Sequence, residues 1–270
     1  MSTQPKLGLR VRYYQDSTPP GVPCIETNFT RREIVMPLSV QATALILVDV
    51  WNALYIKNWI ERAKKITVNA IVPVIEKARV AGLTIVHAPS PEVAEKYPLS
   101  TKYASDTELF HTPKMHDWPP KDFVKRQGDY RIFAGPGDQP PGVKEKEKEL
   151  QLPSLDLSSA IKVRPDDYMI STGSHLQRLL KHKHILHLIY AGFATNICII
   201  NRDYGIRAMS NLGYNTILLR DSTTGVEWPD TVDNLFATEL AIREVENQIG
   251  FSASNEDFFK ACEQITGVNP

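Results

Sequence analysis

Three reactive side chains follow apolar, strand-like segments of this sequence at widely separated positions. Asp49 follows the apolar run 44–48, Lys162 lies at the end of a short apolar segment, and Cys198 lies just beyond the run 185–192. In an open parallel sheet, ligands bind where the carboxyl ends of the strands meet. An acid, an amine and a thiol brought together at that edge would form a site for nucleophilic catalysis.

The chemistry of such a site depends on the protonation of Cys198. A thiol attacks as the thiolate, so it needs either a lowered pKa or a neighbouring base. The N-terminus of the helix predicted to begin near Cys198 would stabilise a thiolate, and the Lys162 cation would add to that effect. Asp49 could accept the thiol proton and later deliver it to a leaving amine.

Each of these residues also has an ordinary structural explanation. A buried cysteine is more often inert than reactive, an aspartate at a strand end is often a cap, and a single lysine usually lies at the surface. Asp49 is harder to explain in this way, because it directly follows five apolar residues and a buried carboxylate needs a partner. The joint placement of the three residues therefore favours a catalytic site.

The spacing of apolar residues predicts the elements that must position this site. The continuous apolar run 44–48 is typical of a strand buried on both faces, residues 59–81 have helical spacing, and 83–88 form the next strand. This strand–helix–strand unit implies parallel strands, and the same alternation returns after residue 160, beginning with a short strand expected at 160–163. The sequence thus predicts an α/β protein with a three-layer αβα Rossmann-like fold and a mostly parallel sheet of about six strands.

The chain divides into an N-terminal arm, residues 1–40, and one domain, residues 41–270, with a long insertion at 89–158. Within the arm, "LRVRYY" and "REIVMPL" could be short strands or extended chain. The insertion is rich in proline, glycine and charged residues. A loop of this length inside a compact domain is usually functional or part of an interface. Whether it forms a lid over the site or a contact between subunits stays open at this point.

Composition disfavours several classes of binding partner, structural site and location. Lys+Arg and Asp+Glu both number 31, and this balance does not favour binding to nucleic acid or to an anionic membrane. The three cysteines contain no C-x-x-C pair and predict neither a disulfide framework nor a structural zinc site. The sequence shows no secretory signal peptide and no apolar run long enough for a membrane span, so we expect a cytoplasmic protein.

Three segments resemble the motifs of a known enzyme family. They are "ALILVDVWNALY", "IKVRPDDYMISTGSHL" and "AGFATNIC", and they occur in the order of the isochorismatase-like cysteine hydrolase superfamily. That superfamily includes nicotinamidases, N-carbamoylsarcosine amidases and ureidoacrylate hydrolases. The resemblance covers roughly residues 40–265, and the third motif is the most specific of the three.

The resemblance implies roles for the three reactive residues. Asp49 would be the base, Lys162 would assist charge balance, and Cys198 would be the nucleophile. A cis peptide bond is expected between Phe193 and Ala194, with the backbone N–H groups of Ala194 and Cys198 forming an oxyanion hole. The family resemblance also implies a homo-oligomer and no cofactor.

Departures from the family pattern narrow the reaction class. Residues 50–58 contain no histidine or aspartate, so a metal-dependent nicotinamidase is disfavoured and no metal ligands are predicted. His87 has no evident metal-binding partner and is expected to be a hydrogen-bonded structural residue. The presence of Cys198 favours hydrolysis of a C–N bond over hydrolysis of a vinyl ether, which does not need the nucleophile.

The leading hypothesis is a cofactor-independent cysteine amidohydrolase that cleaves a small amide, carbamoyl or ureido substrate through a thioester. The side chains expected to line the substrate pocket come from three parts of the chain. They are Trp51, Asn52, Tyr55, Tyr168, Phe193 and Asn196.

Three alternative functions remain open from the sequence. An isochorismatase-type enol-ether hydrolase would use Asp49 and Lys162, with Cys198 as a bystander. A catalytically silent binding protein could keep the same fold. A nucleotide-binding flavodoxin-like module is less consistent with the sequence, because neither G-x-G-x-x-G nor G-x-x-x-x-G-K-[ST] follows a predicted strand.

Overall fold

An eight-stranded sheet runs through the protein in the order β2-β1-β8-β7-β6-β3-β4-β5. The structure is a computed structural model that describes residues 5–103, 118–135 and 142–267. The strands are β1 Lys6–Gln15, β2 Thr30–Ser39, β3 Thr43–Val48, β4 Thr84–Ala88, β5 Tyr168–Met169, β6 His187–Phe193, β7 Asn215–Thr224 and β8 Phe251–Ala253.

Helices connect the strands on both faces of the sheet. They are α1 Lys57–Ile66, α2 Val72–Val80, α3 Pro91–Ala94, α4 Lys121–Val124, α5 Val143–Glu149, α6 Gly173–Lys183, α7 Ile206–Asn211, α8 Phe236–Glu244 and α9 Asn255–Thr266. Within the described ranges, π-helical turns accompany them at Thr67–Ile71, Thr195–Ile199 and Val245–Ile249. Short 3-10 helices lie at Glu26–Asn28, Val40–Ala42, Pro98–Thr101 and Gly128–Phe133. Among the described residues, no helix combines the length and the apolar character needed to cross a membrane.

The six strands from β3 to β8 pair in parallel, which confirms the predicted α/β fold with a mostly parallel sheet. The strand count is eight instead of about six, because an antiparallel hairpin, β1 and β2, extends one edge. The strand expected at 160–163 is not formed. The strand that pairs with β4 is the two-residue β5, which follows the turn-forming sequence "RPDD".

The hairpin of β1 and β2 occupies residues that the sequence analysis assigned to an N-terminal arm. Its ten residue pairs run from Lys6 opposite Ser39 to Gln15 opposite Thr30. β1 joins the sheet through β8, where Arg12 lies opposite Ser252. The hairpin thus continues the sheet of the main domain.

Two apolar layers sandwich the sheet. Successive residues of β3 point to opposite faces, so Leu45 and Leu47 enter one layer while Ala44 and Ile46 enter the other. The first layer is covered by α1, α2 and α9, and the second by α6, α7 and α8. Burial on both faces explains the continuous apolar run of β3, and it leaves the ends of the strands as the places where polar side chains can gather.

Candidate active site

Asp49 lies immediately after β3, at the carboxyl end of the strand. Its backbone φ is 46°, in the left-handed region that is uncommon for residues other than glycine. Its amide N–H donates to the carbonyl oxygen of Ala88 at the end of β4. The side chain is completely buried, so the chain turns sharply here and holds a carboxyl group at the edge of the sheet.

Cys198 lies in the π-helical turn Thr195–Ile199, directly after β6. The peptide bond between Phe193 and Ala194 is cis, as the resemblance predicted. The Cys198 side chain is half-buried and hydrogen-bonds to the Asp49 carboxyl group, and the backbone N–H of Ala194 hydrogen-bonds to the sulfur. The ends of β3 and β6 therefore bring the predicted acid and the predicted nucleophile into contact.

A cation that the sequence analysis did not identify completes this contact. Arg202 places Nη2 3.2 Å and Nε 3.4 Å from Oδ2 of Asp49. Its side chain is 31% exposed, whereas that of Asp49 is fully buried. The signal was present in the sequence, because residues four apart on a helix lie on the same side and Arg202 follows Cys198 by that interval. A buried carboxylate needs such a partner.

The electrostatics of the site keep the resting thiol protonated. Burial is the largest effect on Cys198, the nearby Asp49 carboxylate adds to it, and together they raise the pKa of the thiol to about 12. Burial also raises the pKa of Asp49, and the charge of Arg202 opposes that rise. Cys198 therefore needs a base at the moment of attack, and Asp49 is in contact with it.

Two more residues lie near Asp49, Ser90 in the loop after β4 and Tyr204 in the segment after Arg202. The backbone N–H of Ser90 donates to the Asp49 carboxyl group, and the Ser90 hydroxyl is buried without a partner among the described residues. The Tyr204 hydroxyl donates to the Pro89 carbonyl oxygen at 3.0 Å. These contacts fix the loop after β4 against the loop that carries Arg202.

Lys162 does not join this cluster. It is exposed and lines a groove beside α2, and its carbonyl oxygen accepts a hydrogen bond from Nη2 of Arg79 at 2.9 Å. Arg79 lies near the end of α2, and its guanidinium group also binds Oδ2 of Asp167. Because β5 starts only at Tyr168, Lys162 precedes the strand instead of following it. The cation at the site comes from Arg202.

Trp51 and Tyr55, two of the predicted substrate-binding residues, line a cavity of about 550 Å³. The other wall is formed by α5 and residues 152–155, which belong to the insertion. Trp51 also forms an isolated antiparallel bridge with Leu157. The end of the insertion therefore lies alongside the segment that directly follows Asp49.

Asn52 and Asn196 use their amide groups to hold loops. Asn52 donates to the carbonyl oxygen of Ser154 at 3.2 Å and accepts from the amide of Asp156 at 2.9 Å. Asn196 makes the corresponding pair with the backbone of Val226, at 2.9 and 3.0 Å. Both side chains flank the site, and their contacts in the structure are to backbone.

Phe193 and Tyr168 lie in apolar and aromatic surroundings. Phe193 is buried and packs edge-on against Trp59, with the ring centres 5.6 Å apart. Tyr168 lies on the edge strand β5, where its ring is 5.9 Å from that of Tyr103 and is covered by Lys102. The structure thus places Tyr168 two strands away from β3 and Asp49.

No cluster of three or more His, Cys, Asp or Glu side chains that could hold a metal ion occurs within the described ranges. His87 is buried, and its Nε2 lies 2.9 Å from Oδ2 of Asp167, which also accepts from Arg79. His87 therefore has the character of a hydrogen-bonded structural residue.

Comparison with known proteins places the chain in a family. The model of the isochorismatase domain matches residues 43–238. The ureidoacrylate amidohydrolase RutB of Azorhizobium caulinodans is 25% identical over 243 residues, which cover 85% of this chain and 94% of that protein. The crystal structure of a cysteine hydrolase from Pseudomonas syringae pv. phaseolicola shares the fold, with a TM-score of 0.54 at 16% identity, covering 85% of this chain and 96% of the other. The chain therefore belongs to the isochorismatase family and is a hydrolase.

Proposed function

We propose that the protein is a cofactor-independent cysteine amidohydrolase that cleaves the C–N bond of a small amide, carbamoyl or ureido compound through a thioester. The observation that carries this proposal is the contact between the Cys198 thiol and a buried Asp49 carboxyl group that is paired with Arg202. The similarity to a protein named as a ureidoacrylate amidohydrolase supports the same class of reaction.

The first half-reaction forms the thioester. Asp49 accepts the thiol proton while the Cys198 sulfur attacks the carbonyl carbon. The backbone N–H groups of Ala194 and Cys198 are the proposed donors to the oxyanion of the tetrahedral intermediate. The C–N bond then breaks, and the proton held by Asp49 moves to the leaving nitrogen.

The second half-reaction releases the acid. Asp49, again ionised, takes a proton from a water molecule that attacks the thioester carbon. The C–S bond breaks, and the sulfur regains the proton as the thiol. Arg202 favours the charged form of Asp49 throughout, which is the part that the sequence analysis assigned to Lys162.

We further propose a small-molecule substrate, a cytoplasmic location and a homo-oligomeric state. The cavity beside Trp51 and Tyr55 has both apolar and polar lining residues, and its size suits a small molecule. Light scattering coupled to gel filtration measures the number of subunits, and a monomer at micromolar concentration would contradict the proposed homo-oligomer.

A screen of small amides and ureides, followed by ammonia release, tests the proposed activity. Cys198→Ala and Asp49→Asn should each lower turnover by about a thousandfold or more. Cys262→Ala, which changes a buried cysteine far along the chain in α9, is the matched control and should retain activity. Full turnover by Cys198→Ala would contradict a thioester mechanism. Activity of that variant on a vinyl ether would instead support the enol-ether hydrolase.

A further inference from the structure

Arg202 is carried by a short turn, residues 201–205, that is tied to its surroundings at several points. Its own backbone N–H donates to the carbonyl oxygen of Cys198, and Gly205 donates back to the carbonyl oxygen of Arg202. The Tyr204 hydroxyl binds the loop after β4, as described above. The position of the guanidinium group therefore depends on how firmly this turn, the Arg202 turn, is held.

Asp203 makes the contact between the Arg202 turn and α6. Its Oδ2 accepts the backbone N–H of Gly173, the first residue of α6, at 2.7 Å. The free N–H groups and the dipole of a helix N-terminus favour a carboxylate at this place. The hydroxyl oxygen of Thr172, the residue before the helix, accepts the N–H of His175, two residues after Gly173, at 3.2 Å.

The two backbones also touch at this contact. A Cβ atom on Gly173 would lie 2.4 Å from the carbonyl oxygen of Asp203, a distance that real Cβ atoms do not reach. Glycine is therefore required for α6 to approach the Arg202 turn so closely. This close approach and the carboxylate bond occur at one point, one residue away from Arg202.

We propose that Asp203 is a positioning residue for the catalytic site. Its carboxylate fastens the Arg202 turn to the N-terminus of α6 and thereby holds the guanidinium group against Asp49. The inference rests on the proposed function, because it matters for catalysis only if Asp49 and Cys198 perform the chemistry described above.

Several charged or titratable groups face this region and affect the test. Asp49 directly follows β3, while Cys198, Tyr204 and Asp203 itself come from the segment around Arg202. From α6, His175 lies near Asp203; burial lowers its pKa, so it is neutral at neutral pH. Its Nδ1 lies 3.0 Å from the Ser171 hydroxyl.

Removal of the Asp203 carboxylate has two effects of opposite sign. Loss of a negative charge alone favours ionisation of the Cys198 thiol. Loss of the tether lets the Arg202 guanidinium move away, which disfavours the thiolate. The direction of change in thiol reactivity therefore distinguishes a positioning role from a simple charge effect.

The test measures the rate of Cys198 alkylation by iodoacetamide as a function of pH. A Cys24→Ser background removes the exposed cysteine, and Cys262 is buried. Asp203→Ala should slow alkylation by roughly threefold or more at a given pH, because the rate follows the thiolate fraction. Asp203→Asn should stay close to wild type, because its amide oxygen still accepts the Gly173 N–H.

Asp221→Ala is a matched control for loss of a bond to a helix N-terminus. Like Asp203, Asp221 is exposed, and its Oδ2 accepts the N–H of Asn255, the first residue of α9, at 2.8 Å. Its loss should leave the alkylation rate unchanged. In an Arg202→Gln background, Asp203→Ala should produce no further slowing.

Unchanged or faster alkylation in Asp203→Ala would overturn the inference, and so would equal slowing by Asp203→Asn or Asp221→Ala. If Asp203→Ala does not fold, Asp203→Glu is tested in its place. This variant keeps the negative charge but displaces the carboxylate oxygen that accepts the Gly173 N–H, so slower alkylation is again expected. The proposed function fails separately, if Cys198→Ala keeps full turnover. If Cys198→Ala is inactive but Asp203→Ala is alkylated at the normal rate, only the positioning role of Asp203 is contradicted.

Discussion

At the scale of single residues, Asp49 is subject to opposing influences. Its carboxyl group is fully buried, and burial raises its pKa. The Arg202 charge and hydrogen bonds from Cys198 and the Ser90 amide act in the other direction. Because the proposed mechanism needs the ionised carboxylate to accept the thiol proton, protonation of Asp49 should set the acidic side of the activity profile.

Hydrolysis should therefore fall as the pH is lowered through the raised pKa of Asp49, at a higher pH than an exposed aspartate would give. Arg202→Gln should move this fall to still higher pH, because it removes the cation that favours the carboxylate. The measurement is kcat/KM against pH. Lys162→Gln is the matched control, and a shift of its profile as large as that of Arg202→Gln would argue against the assignment of Arg202.

The same burial predicts that loss of the Asp49 charge does not destabilise the protein. With a raised folded-state pKa, the folded protein binds this proton more tightly than the unfolded chain does, so the carboxylate opposes folding above that pKa. Asp49→Asn should unfold at the same or a higher temperature than wild type at neutral pH while losing hydrolysis.

Thermal unfolding followed by circular dichroism checks this expectation at two pH values. The difference between Asp49→Asn and wild type should shrink in acid, where the wild-type carboxyl group takes up its proton. A melting temperature several degrees below wild type at neutral pH would contradict it.

At the scale of elements, the site depends on how closely β6 approaches β3. Gly192 has a φ of +121°, and a Cβ atom there would lie 2.0 Å from the carbonyl oxygen of Val48. Val48 directly precedes Asp49, and Gly192 lies six residues before Cys198. Glycine therefore permits the contact between the two strand ends that carry the acid and the thiol.

Gly192→Ala should lower the free energy of unfolding by at least about 3 kcal/mol, because it adds a clash with backbone to an unfavourable φ. Gly213→Ala is the matched control, since its φ is +92° but a Cβ atom would meet nothing within 4 Å. The free energy of unfolding of that variant should fall by only about 1 kcal/mol. Urea unfolding measures both, and equal losses would show that the strand contact is not the cause.

The sequence predicted some elements well because their patterns are long. β3 and β6 are continuous apolar runs buried on both faces, so the places of Asp49 and Cys198 at strand ends followed directly. β5 has only two residues, and no periodicity can be read from so short a strand. The position of Lys162 relative to that strand, and with it the source of the cation, could not be established from the pattern alone.

The two strands of the β1–β2 hairpin were predicted only as one alternative to an extended arm, and their pairing was not predicted, for a different reason. β2 is the edge strand, and most of its residues are exposed on both faces, so it lacks the alternation that marks a half-buried strand. Its pairing is set by contacts with β1 and, through β1, with β8. Such long-range pairing leaves little trace in the local sequence.

At the scale of the whole molecule, a buried charge cluster joins the hairpin to the main domain. Glu246 follows α8, and its side chain is fully buried. Arg12 of β1 and Arg31 of β2 pair with its two carboxylate oxygens. The hairpin is therefore fixed to the domain by an ion cluster as well as by backbone pairing.

Glu246→Ala should lower the free energy of unfolding by about 3 kcal/mol, because it leaves two partly buried cations without their partner. Glu256→Ala breaks an exposed ion pair with Lys260 and should change stability very little. Chemical denaturation compares the two variants. A similar small effect in both would mean that the hairpin does not depend on the buried cluster.

The contacts between the end of the insertion and the segment after Asp49 have an evolutionary consequence. Asn52 and Trp51 are bound to residues 154–157, so one surface segment forms a wall of the cavity while Asp49 and Cys198 are anchored by the sheet. Under the proposed function, exchange of residues 142–158 should change the substrate range while Asp49 and Cys198 keep their chemistry. This separation makes the fold a tolerant starting point for diversification.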